Sequence, residues 1–316
     1  MADPLECIAF SVGDTPVTVG DVLRAEHARG ALQLVEELLA WKAACLAEAD
    51  RLSLGVDEDA VDELSTAFRY ERDLVSAEEI EAWLEARGLT PEEFQDHFVG
   101  GQLFSALRDQ VDAPEGETDP EEEPDWAALA AELHLSGTFP GHAVQHSRRL
   151  LVRAAAGATG DLDLAELESA YQAACAALLT PAALGQELAG ARLPLTLIDY
   201  ESSEFDSVDA AREALLCVRD DGMELAEVAR ESGFPHSRQE AVAEDLPEDL
   251  REPLLWAPLG ALQGPTASGG VFRLWRVFAR TEPRLTDPEV RRRVEARVLA
   301  AHFAGTGASL LHWTLQ

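Results

Sequence analysis

The stretch "GALQGPTASGGVFRLWRV" (260–277) predicts a turn that leads into one amphipathic β-strand. Its Gly-Pro and Gly-Gly pairs are turn signals, because these residues are poorly suited to the interior of a helix or strand. The run from Val271 to Val277 combines β-branched, aromatic and aliphatic residues with two arginines, which is typical of a half-buried strand. We therefore predict that this stretch forms the last strand of a small domain.

The residues before this strand predict the rest of a compact α+β module, spanning residues 194–283. The predicted order of strand, helix, helix, helical turn and strand is typical of an α+β domain. The supporting segments, in chain order, are "LPLTLIDYES" (193–202), "SVDAAREALLCVRDDG" (207–222), "ELAEVARESG" (224–233) and "EDLPEDLREPLLWAPLG" (244–260).

The N-terminal half predicts two short strands followed by helices. Residues 7–19 predict a pair of strands around a Gly-Asp turn. Apolar residues at three-to-four spacing predict one amphipathic helix from Asp21 to Ala49. Later helices carry their own start signals, since Ser76 begins an S-x-x-E capping box and Thr90 precedes a proline at the first helical position.

The C-terminal tail returns to helix in "TDPEVRRRVEARVLAAHF" (286–303), with Asp287 as the cap, and "SLLHWTLQ" (309–316) predicts a final strand. The predicted fold class is mainly α with a small α+β module. We predict five segments: an N-terminal helical domain (1–111), an acidic, proline-rich linker (112–125), a second helical block (126–193), the module (194–283) and a C-terminal helix and strand (284–316) that packs on the helical body.

Composition excludes several classes of partner. The net charge of −34 disfavours binding to nucleic acid or to an anionic membrane surface, because both would be repelled. No apolar run is long enough to span a bilayer, and the N-terminus has no pattern of a secretory signal. The four cysteines are scattered without a CxxC pair, which predicts free thiols in a cytoplasmic protein without a zinc site: Cys7, Cys45, Cys175 and Cys217.

Four patches of the chain resemble the parvulin-type peptidyl-prolyl isomerases, in the two-part layout of the SurA-like and PrsA-like chaperones. They are "SVGDTPVTVGDVLRAEHA" (11–28), "LEARGLTPEEFQDHF" (84–98), "DDGMELAEVARESG" (220–233) and the stretch 260–277. The resemblance implies a helical chaperone body beside a parvulin-like module. With no secretory signal predicted, the chain resembles the cytoplasmic parvulin-like proteins of peptide-maturation systems more than the secreted chaperones.

The resemblance also implies where catalytic histidines should stand, and this sequence has none there. Leu195 or Thr196 occupies the position of the first, and Phe272 or Arg273 that of the second. We therefore predict no catalytic residues and no cofactor. The module would keep a concave apolar surface for an extended peptide, with Trp256, Phe272, Arg273, Leu274 and Trp275 as candidate peptide-binding residues.

The sequence leaves three functions open. The first is a non-catalytic, chaperone-like accessory protein that binds a peptide or unfolded polypeptide, for example a precursor peptide held for its modifying enzyme. The second is an enzyme, either a prolyl isomerase or a peptide-modifying activity in the same groove, which would be favoured if four polar side chains converged there: Asp199, Glu201, His236 and Arg273. The third is a structural partner whose groove is filled by its own tail.

Three further patterns have alternative interpretations. His142 and His146 have a helical i, i+4 spacing that suits zinc, but no third ligand is near in sequence, so we predict no metal site. Segments 89–103 and 179–193 both begin with Leu-Thr-Pro and are similar in sequence. Either both are helices with the same type of N-terminal cap, or one arose by duplication of the other. Two arginine clusters predict either intramolecular ion pairs or docking of an acidic peptide: Arg148, Arg149 and Arg153, and Arg291, Arg292, Arg293 and Arg297.

Overall fold

The computed structural model describes residues 3–112, 123–158 and 163–315, and the chain divides into two compact units. Unit 1 comprises Met1–Cys175 together with His302–Gln316, and unit 2 comprises Ala176–Ala301. Most of the predicted linker, residues 113–122, lies outside the described residues.

The described chain is mainly helical, with two small antiparallel sheets. The helices are α1 Val19–Ala28, α2 Gln33–Leu52, α3 Glu58–Glu71, α4 Ala77–Glu85, α5 Pro91–Leu107, α6 Trp126–Leu135, α7 Phe139–Ala155, α8 Leu164–Leu178, α9 Pro181–Gly190, α10 Val208–Asp220, α11 Leu225–Ser232, α12 Glu248–Trp256 and α13 Pro288–Gly307. The strands are β1 Ile8–Val12, β2 Thr15–Thr18, β3 Leu197–Phe205, β4 His236–Val242, β5 Leu262–Ser268, β6 Val271–Thr281 and β7 Leu311–Trp313. The predicted fold class, mainly α with a small α+β module and a C-terminal helix and strand, is confirmed.

The sheet of unit 1 joins the two ends of the chain. Its strand order is β2-β1-β7, so the C-terminal strand pairs antiparallel with the first strand. Phe10 lies at the centre with no exposed surface, and its ring packs 5.1 Å from that of Trp313. Around it, α1, α6 and α7 contribute a buried core that includes Leu23, Leu129 and Phe139. The tail strand is therefore part of the unit 1 core.

The single helix predicted from Asp21 to Ala49 is wrong, because the chain breaks between α1 and α2. Thr18 caps α1 through a reciprocal capping box with Asp21. Gly30 then adopts a φ of +70°, a left-handed conformation that ends a right-handed helix and that glycine adopts without steric cost. The predicted caps at Ser76 and Thr90 are both present as full capping boxes.

The sheet of unit 2 has the strand order β4-β3-β6-β5, and all neighbours are antiparallel. Helices α10 and α11 pack on one face, and α12 packs on the other. The first predicted strand begins later than expected, at Leu197, since Leu195 and Thr196 still belong to the turn that follows α9. Strand β4 was not predicted, because most of its residues are polar and it lies at the edge of the sheet.

The stretch 260–277 forms two paired strands, β5 and β6, rather than the predicted turn and single strand, and its Gly-Pro pair lies within β5 at an irregularity in the pairing. Glycine is required at the first position of that pair. Gly264 has a φ of +105°, and a Cβ there would lie 2.4 Å from the Arg273 carbonyl oxygen. We expect Gly264→Ala to lower the free energy of unfolding of unit 2 by about 2–3 kcal/mol. Gly269, at a φ of +58° with open space around it, is the matched control, and Gly269→Ala should cost only about 1 kcal/mol. Urea unfolding followed by circular dichroism measures both, and equal losses would contradict the steric explanation.

Candidate functional site

Strand alternation divides the predicted peptide-binding residues of β6 between the two faces of the sheet. Leu274 has no exposed surface and packs against α10 and α11, together with the partly buried Phe272. Trp275 points the other way and is buried in the core beneath α12. These side chains therefore pack in two separate cores, as period-two alternation requires, and Leu274 has no surface to offer a ligand.

The other two predicted residues are more accessible. Trp256 ends α12 and is 66% exposed. The guanidinium of Arg273 donates a hydrogen bond from Nε to Glu204 Oε1 (2.7 Å) and lies 3.6 Å from a carboxylate oxygen of Asp249. Of the predicted wall, Trp256 alone combines an aromatic side chain with a large exposed area.

The four polar residues that would have favoured catalysis do not form one constellation. Asp199 pairs with Arg238 through two hydrogen bonds, of 2.9 and 3.2 Å. Arg273 is engaged with its own partners as described above. Glu201 and His236 do lie together, with His236 Nε2 3.8 Å from a carboxylate oxygen of Glu201. Only this last pair is brought into contact by the sheet.

Glu201 and His236 belong to a buried polar cluster that resembles a Ser-His-acid arrangement. His236 Nδ1 lies 3.0 Å from the hydroxyl oxygen of Ser203, and Arg276 Nε lies 3.2 Å from Glu201 Oε1. Ser203 has no exposed surface, however, so its hydroxyl cannot reach a substrate. A nucleophile needs both a base and access to the reacting atom, and here access is missing. The cluster therefore cross-links β3, β4 and β6 rather than forming a catalytic triad.

The positions where the family resemblance implies histidines hold residues of other kinds. Leu195 is buried with Val290 and Val294 in a separate core of unit 2. Thr196 donates a hydrogen bond from its hydroxyl to the Arg192 carbonyl oxygen (2.9 Å). Neither side chain can supply the acid–base chemistry of an imidazole.

A second candidate site, which sequence reasoning missed, is an open groove of about 1180 Å³ in unit 1. It runs between α2, α5 and α6, and we call it the groove throughout. Its apolar walls come from Leu39, Ala40, Ala43 and Leu46 on α2, Val99 and Gly100 on α5, and Ala127, Ala128, Ala131 and Leu135 on α6. Leu46 belongs to the apolar spacing that predicts the amphipathic helix and its core-facing side, but it is 47% exposed. The many alanines leave the space that larger side chains would fill.

The bottom of the groove holds a buried charge cluster. Lys42 Nζ donates hydrogen bonds to both carboxylate oxygens of Glu132, at 2.8 and 2.7 Å, and His97 Nδ1 lies 3.0 Å from Oε2. Burial alone would raise the pKa of Glu132, but the hydrogen bonds from His97 and Lys42 outweigh it and hold the pKa below its usual range. Glu132 is therefore an ionised carboxylate whose charge Lys42 neutralises.

The arginines predicted to dock an acidic peptide all have contacts within the protein. In unit 1, Arg149 donates to Glu168 (2.6 Å) and stacks on Tyr171, Arg148 lies over the ring of Phe303, and Arg153 also has a partner. In unit 2, Arg291 pairs with Glu295, Arg292 with Glu289, Arg293 with Glu244, Asp245 and Glu289, and Arg297 with Glu187 and Glu244. These contacts support intramolecular pairing, and docking of an acidic peptide stays a prediction that would require ion pairs to break.

The histidine pair with zinc-like spacing is engaged with charged neighbours. His142 Nδ1 lies 3.7 Å from a carboxylate oxygen of Glu26, and Arg29 Nη2 lies 3.4 Å from His146 Nδ1. Within residues 3–112, 123–158 and 163–315, no group of three potential ligands is close enough to hold a metal ion. Nor does any helix of this described part have the length and apolarity needed to cross a membrane.

Comparison with known proteins gives weak likenesses only. No family model and no curated protein matches the chain. Among solved structures, it is similar to the foldase protein PrsA from Streptococcus pneumoniae (11% identity, TM-score 0.31, covering 91% of this chain and 84% of that chain). It is also similar to PrsA from Lactococcus lactis (10%, TM-score 0.30, covering 96% and 93%). A third likeness is to the SurA-like chaperones PEB4 and Cj1289 of Campylobacter jejuni (11%, TM-score 0.21, covering 98% and 100%). Identities near 10% and TM-scores well below 0.5 are too weak to assign a function.

Proposed function

We propose that this protein is a non-catalytic, chaperone-like peptide-binding protein, and that the groove of unit 1 holds the client segment. The observation that carries the proposal is the groove itself, an open space of about 1180 Å³ with mainly apolar walls. Small-molecule sites usually occupy about 300–1,000 Å³, so this groove has room for several residues of a polypeptide. Exposed apolar surface of this extent is typical of an interaction site.

The groove would bind clients by burying their apolar side chains. Each leucine-sized side chain moved from water into such a groove contributes about 1.5–3 kcal/mol, against the cost of ordering the client. Micromolar binding corresponds to about 8 kcal/mol of net free energy, so several such side chains must be buried together. Holding an unfolded segment away from other chains requires no covalent step, which agrees with the buried Ser203 of unit 2.

We further propose that the client is a precursor peptide held for its modifying enzyme in a cytoplasmic ribosomal peptide-maturation system. This proposal rests on the sequence resemblance to parvulin-like proteins of such systems. When the full chain is expressed together with the genes that neighbour its own, we expect a short precursor peptide to co-purify with it. If the protein binds peptides but no precursor peptide co-purifies, the proposed peptide-binding function would stand and the proposed role in peptide maturation would be contradicted.

Filling the groove should weaken peptide binding. Ala43 is exposed on the groove wall, so we expect Ala43→Trp to raise the dissociation constant of a fluorescein-labelled peptide, Leu-Gln-Ala repeated four times, by about tenfold or more. Ala67 is exposed on α3 outside the groove, and Ala67→Trp is the matched control. Fluorescence anisotropy measures both. The same affinity for Ala43→Trp and the wild type would show that the groove is not the site.

The alternative function, prolyl isomerisation or peptide modification by the module, is favoured by one observation, the large exposed area of Trp256 at the end of α12. We expect no catalysed cis–trans exchange of an Ala-Pro test peptide in NMR exchange spectroscopy, because the Ser203 hydroxyl beside His236 is fully buried in the sheet. Acceleration by the wild type that Trp256→Ala removes would favour the enzyme instead. Trp256 suits this test because it is exposed, whereas Trp275 is buried and its loss would disturb the core.

A further inference from the structure

The edge of the groove carries far more carboxylates than cations. Among the described residues, five acidic side chains line it above the buried cluster, and we call them the rim: Glu36, Glu93, Asp96, Glu123 and Asp125. Lys42 is the only lysine or arginine among the described lining residues, and Glu132 neutralises it. The lining thus has six carboxylates to one cation, whereas the whole chain has 59 acidic to 25 basic residues. The groove is acidic beyond the average of this acidic protein.

The rim carboxylates differ in how far they are already engaged. Glu36 contacts His27 (2.6 Å), while Glu93 and Asp125 accept backbone hydrogen bonds at helix starts, from Thr90 (2.7 Å) and Ala128 (3.0 Å). Asp96 and Glu123 are exposed and have no hydrogen bond or ion pair within the described residues. Two carboxylates beside an apolar wall are therefore available to a ligand.

We propose that the groove selects client segments in which apolar side chains alternate with lysine or arginine. This inference rests on the proposed peptide-binding function and names the class of client. Apolar side chains of the client pack against the walls formed by α2, α5 and α6, while its cations reach the rim. An ammonium or guanidinium forms charge-assisted hydrogen bonds with a carboxylate, which are stronger than bonds between neutral groups. An acidic client of equal apolarity would be repelled by the same rim.

Rim contacts of this kind act mainly on specificity and on the association rate, and salt weakens them. Exposed charges are screened over about 10 Å at 0.1 M ionic strength and about 3 Å at 1 M. A preference for basic clients should therefore be large in dilute buffer and small at high salt, whereas the apolar contribution to binding should persist.

Three labelled peptides of equal apolar content test the inference: Leu-Lys-Ala, Leu-Gln-Ala and Leu-Glu-Ala, each repeated four times. At about 50 mM NaCl we expect the lysine peptide to bind the full chain about tenfold more tightly than the glutamine peptide, and the glutamate peptide to bind most weakly. The double variant Asp96→Asn/Glu123→Gln should reduce the lysine preference about threefold to fivefold. The double variant Glu81→Gln/Glu85→Gln, on exposed positions of α4 outside the groove, changes the net charge equally and should leave the preference intact.

Each other outcome has a distinct meaning. Equal affinity for all three peptides would overturn the inference and leave the proposed function standing. A lysine preference that both double variants reduce equally would also overturn it, because the net charge of −34 rather than the rim would then be the cause. No binding of any peptide would contradict the proposed function as well.

Discussion

Lowering the pH from 7 to about 4 should destabilise unit 1 by about 6 kcal/mol, because two of its histidines are buried in the neutral form. Burial lowers the pKa of His134 to about 3 and that of His146 to about 4, with nearby arginines adding to both shifts. In the unfolded chain both imidazoles titrate near 6.5. Between these values the unfolded state binds protons that the folded state does not, so stability falls as the pH falls.

The surroundings of each imidazole explain why protonation is resisted. His134 packs against Phe139, with ring centroids 4.3 Å apart, and its Nε2 has no hydrogen-bond partner among the described residues. The positive charge of Arg87 further disfavours a second cation there. His146 accepts a hydrogen bond from Arg29 at 3.4 Å, and Arg149 adds to the repulsion, while Glu26 and Asp21 only partly offset it.

The measurement is urea unfolding at several pH values between about 7 and 5, followed by tryptophan fluorescence. Each buried histidine should contribute a slope of about 1.4 kcal/mol per pH unit, so the two together give about 2.7. His134→Leu should halve this slope, and the exposed His312, replaced by glutamine, is the control that should leave it unchanged. A slope near zero in the wild type would show that both imidazoles protonate within the folded state.

Below about pH 4.5 a second loss should follow from carboxylates. Burial alone would raise the pKa of Glu26 and Glu132, but hydrogen bonds from basic neighbours hold both pKa values below the usual range. A lowered pKa contributes stability that is present above the unfolded value and is lost as the pH falls through the folded one. The change in unfolding free energy per pH unit that is due to the histidines is therefore best measured above about pH 4.5, where these carboxylates stay ionised.

The sequence predicted the elements whose signals are local. Caps at Ser76 and Thr90, the helix after Asp287 and the strand at Leu311 all follow from residues a few positions apart, and all are present. The break between α1 and α2 was missed because the apolar spacing continues across Gly30, and a single glycine is a weak signal within a periodic apolar pattern. Edge strand β4 was missed because exposed polar residues give no alternation.

The candidate groove could not be predicted, because its walls come from three helices far apart in sequence. Leu39 and Leu46 have the spacing of core residues, and only the tertiary structure shows that α5 and α6 leave space beside them. The ion pair between Lys42 and Glu132 joins residues 90 positions apart, and no local sequence pattern predicts it. Within the module, alternation predicted a half-buried β6, but helices on both sides of the sheet bury Leu274 on one face and Trp275 on the other.

Breaking the charge cluster below the groove from one side should strongly destabilise unit 1. Replacing Glu132 by alanine would remove the carboxylate that pairs with Lys42, whose side chain is only 13% exposed. Removing one partner of a buried ion pair costs about 3–5 kcal/mol, since the remaining charge is desolvated without compensation. We expect Glu132→Ala to lose this amount of unfolding free energy at neutral pH.

The double variant Lys42→Met/Glu132→Leu separates this cost from the role of the groove. It removes both charges while keeping side chains of similar volume, and such replacements are often neutral or stabilising. Urea unfolding should therefore show recovery of most of the loss seen in Glu132→Ala. In the anisotropy assay the double variant should bind the Leu-Gln-Ala peptide at least as tightly as the wild type, because the groove gains apolar surface. Weaker binding by a stably folded double variant would mean that the buried pair itself contacts the client, and the groove would then recognise polar groups of the peptide rather than its apolar side chains alone.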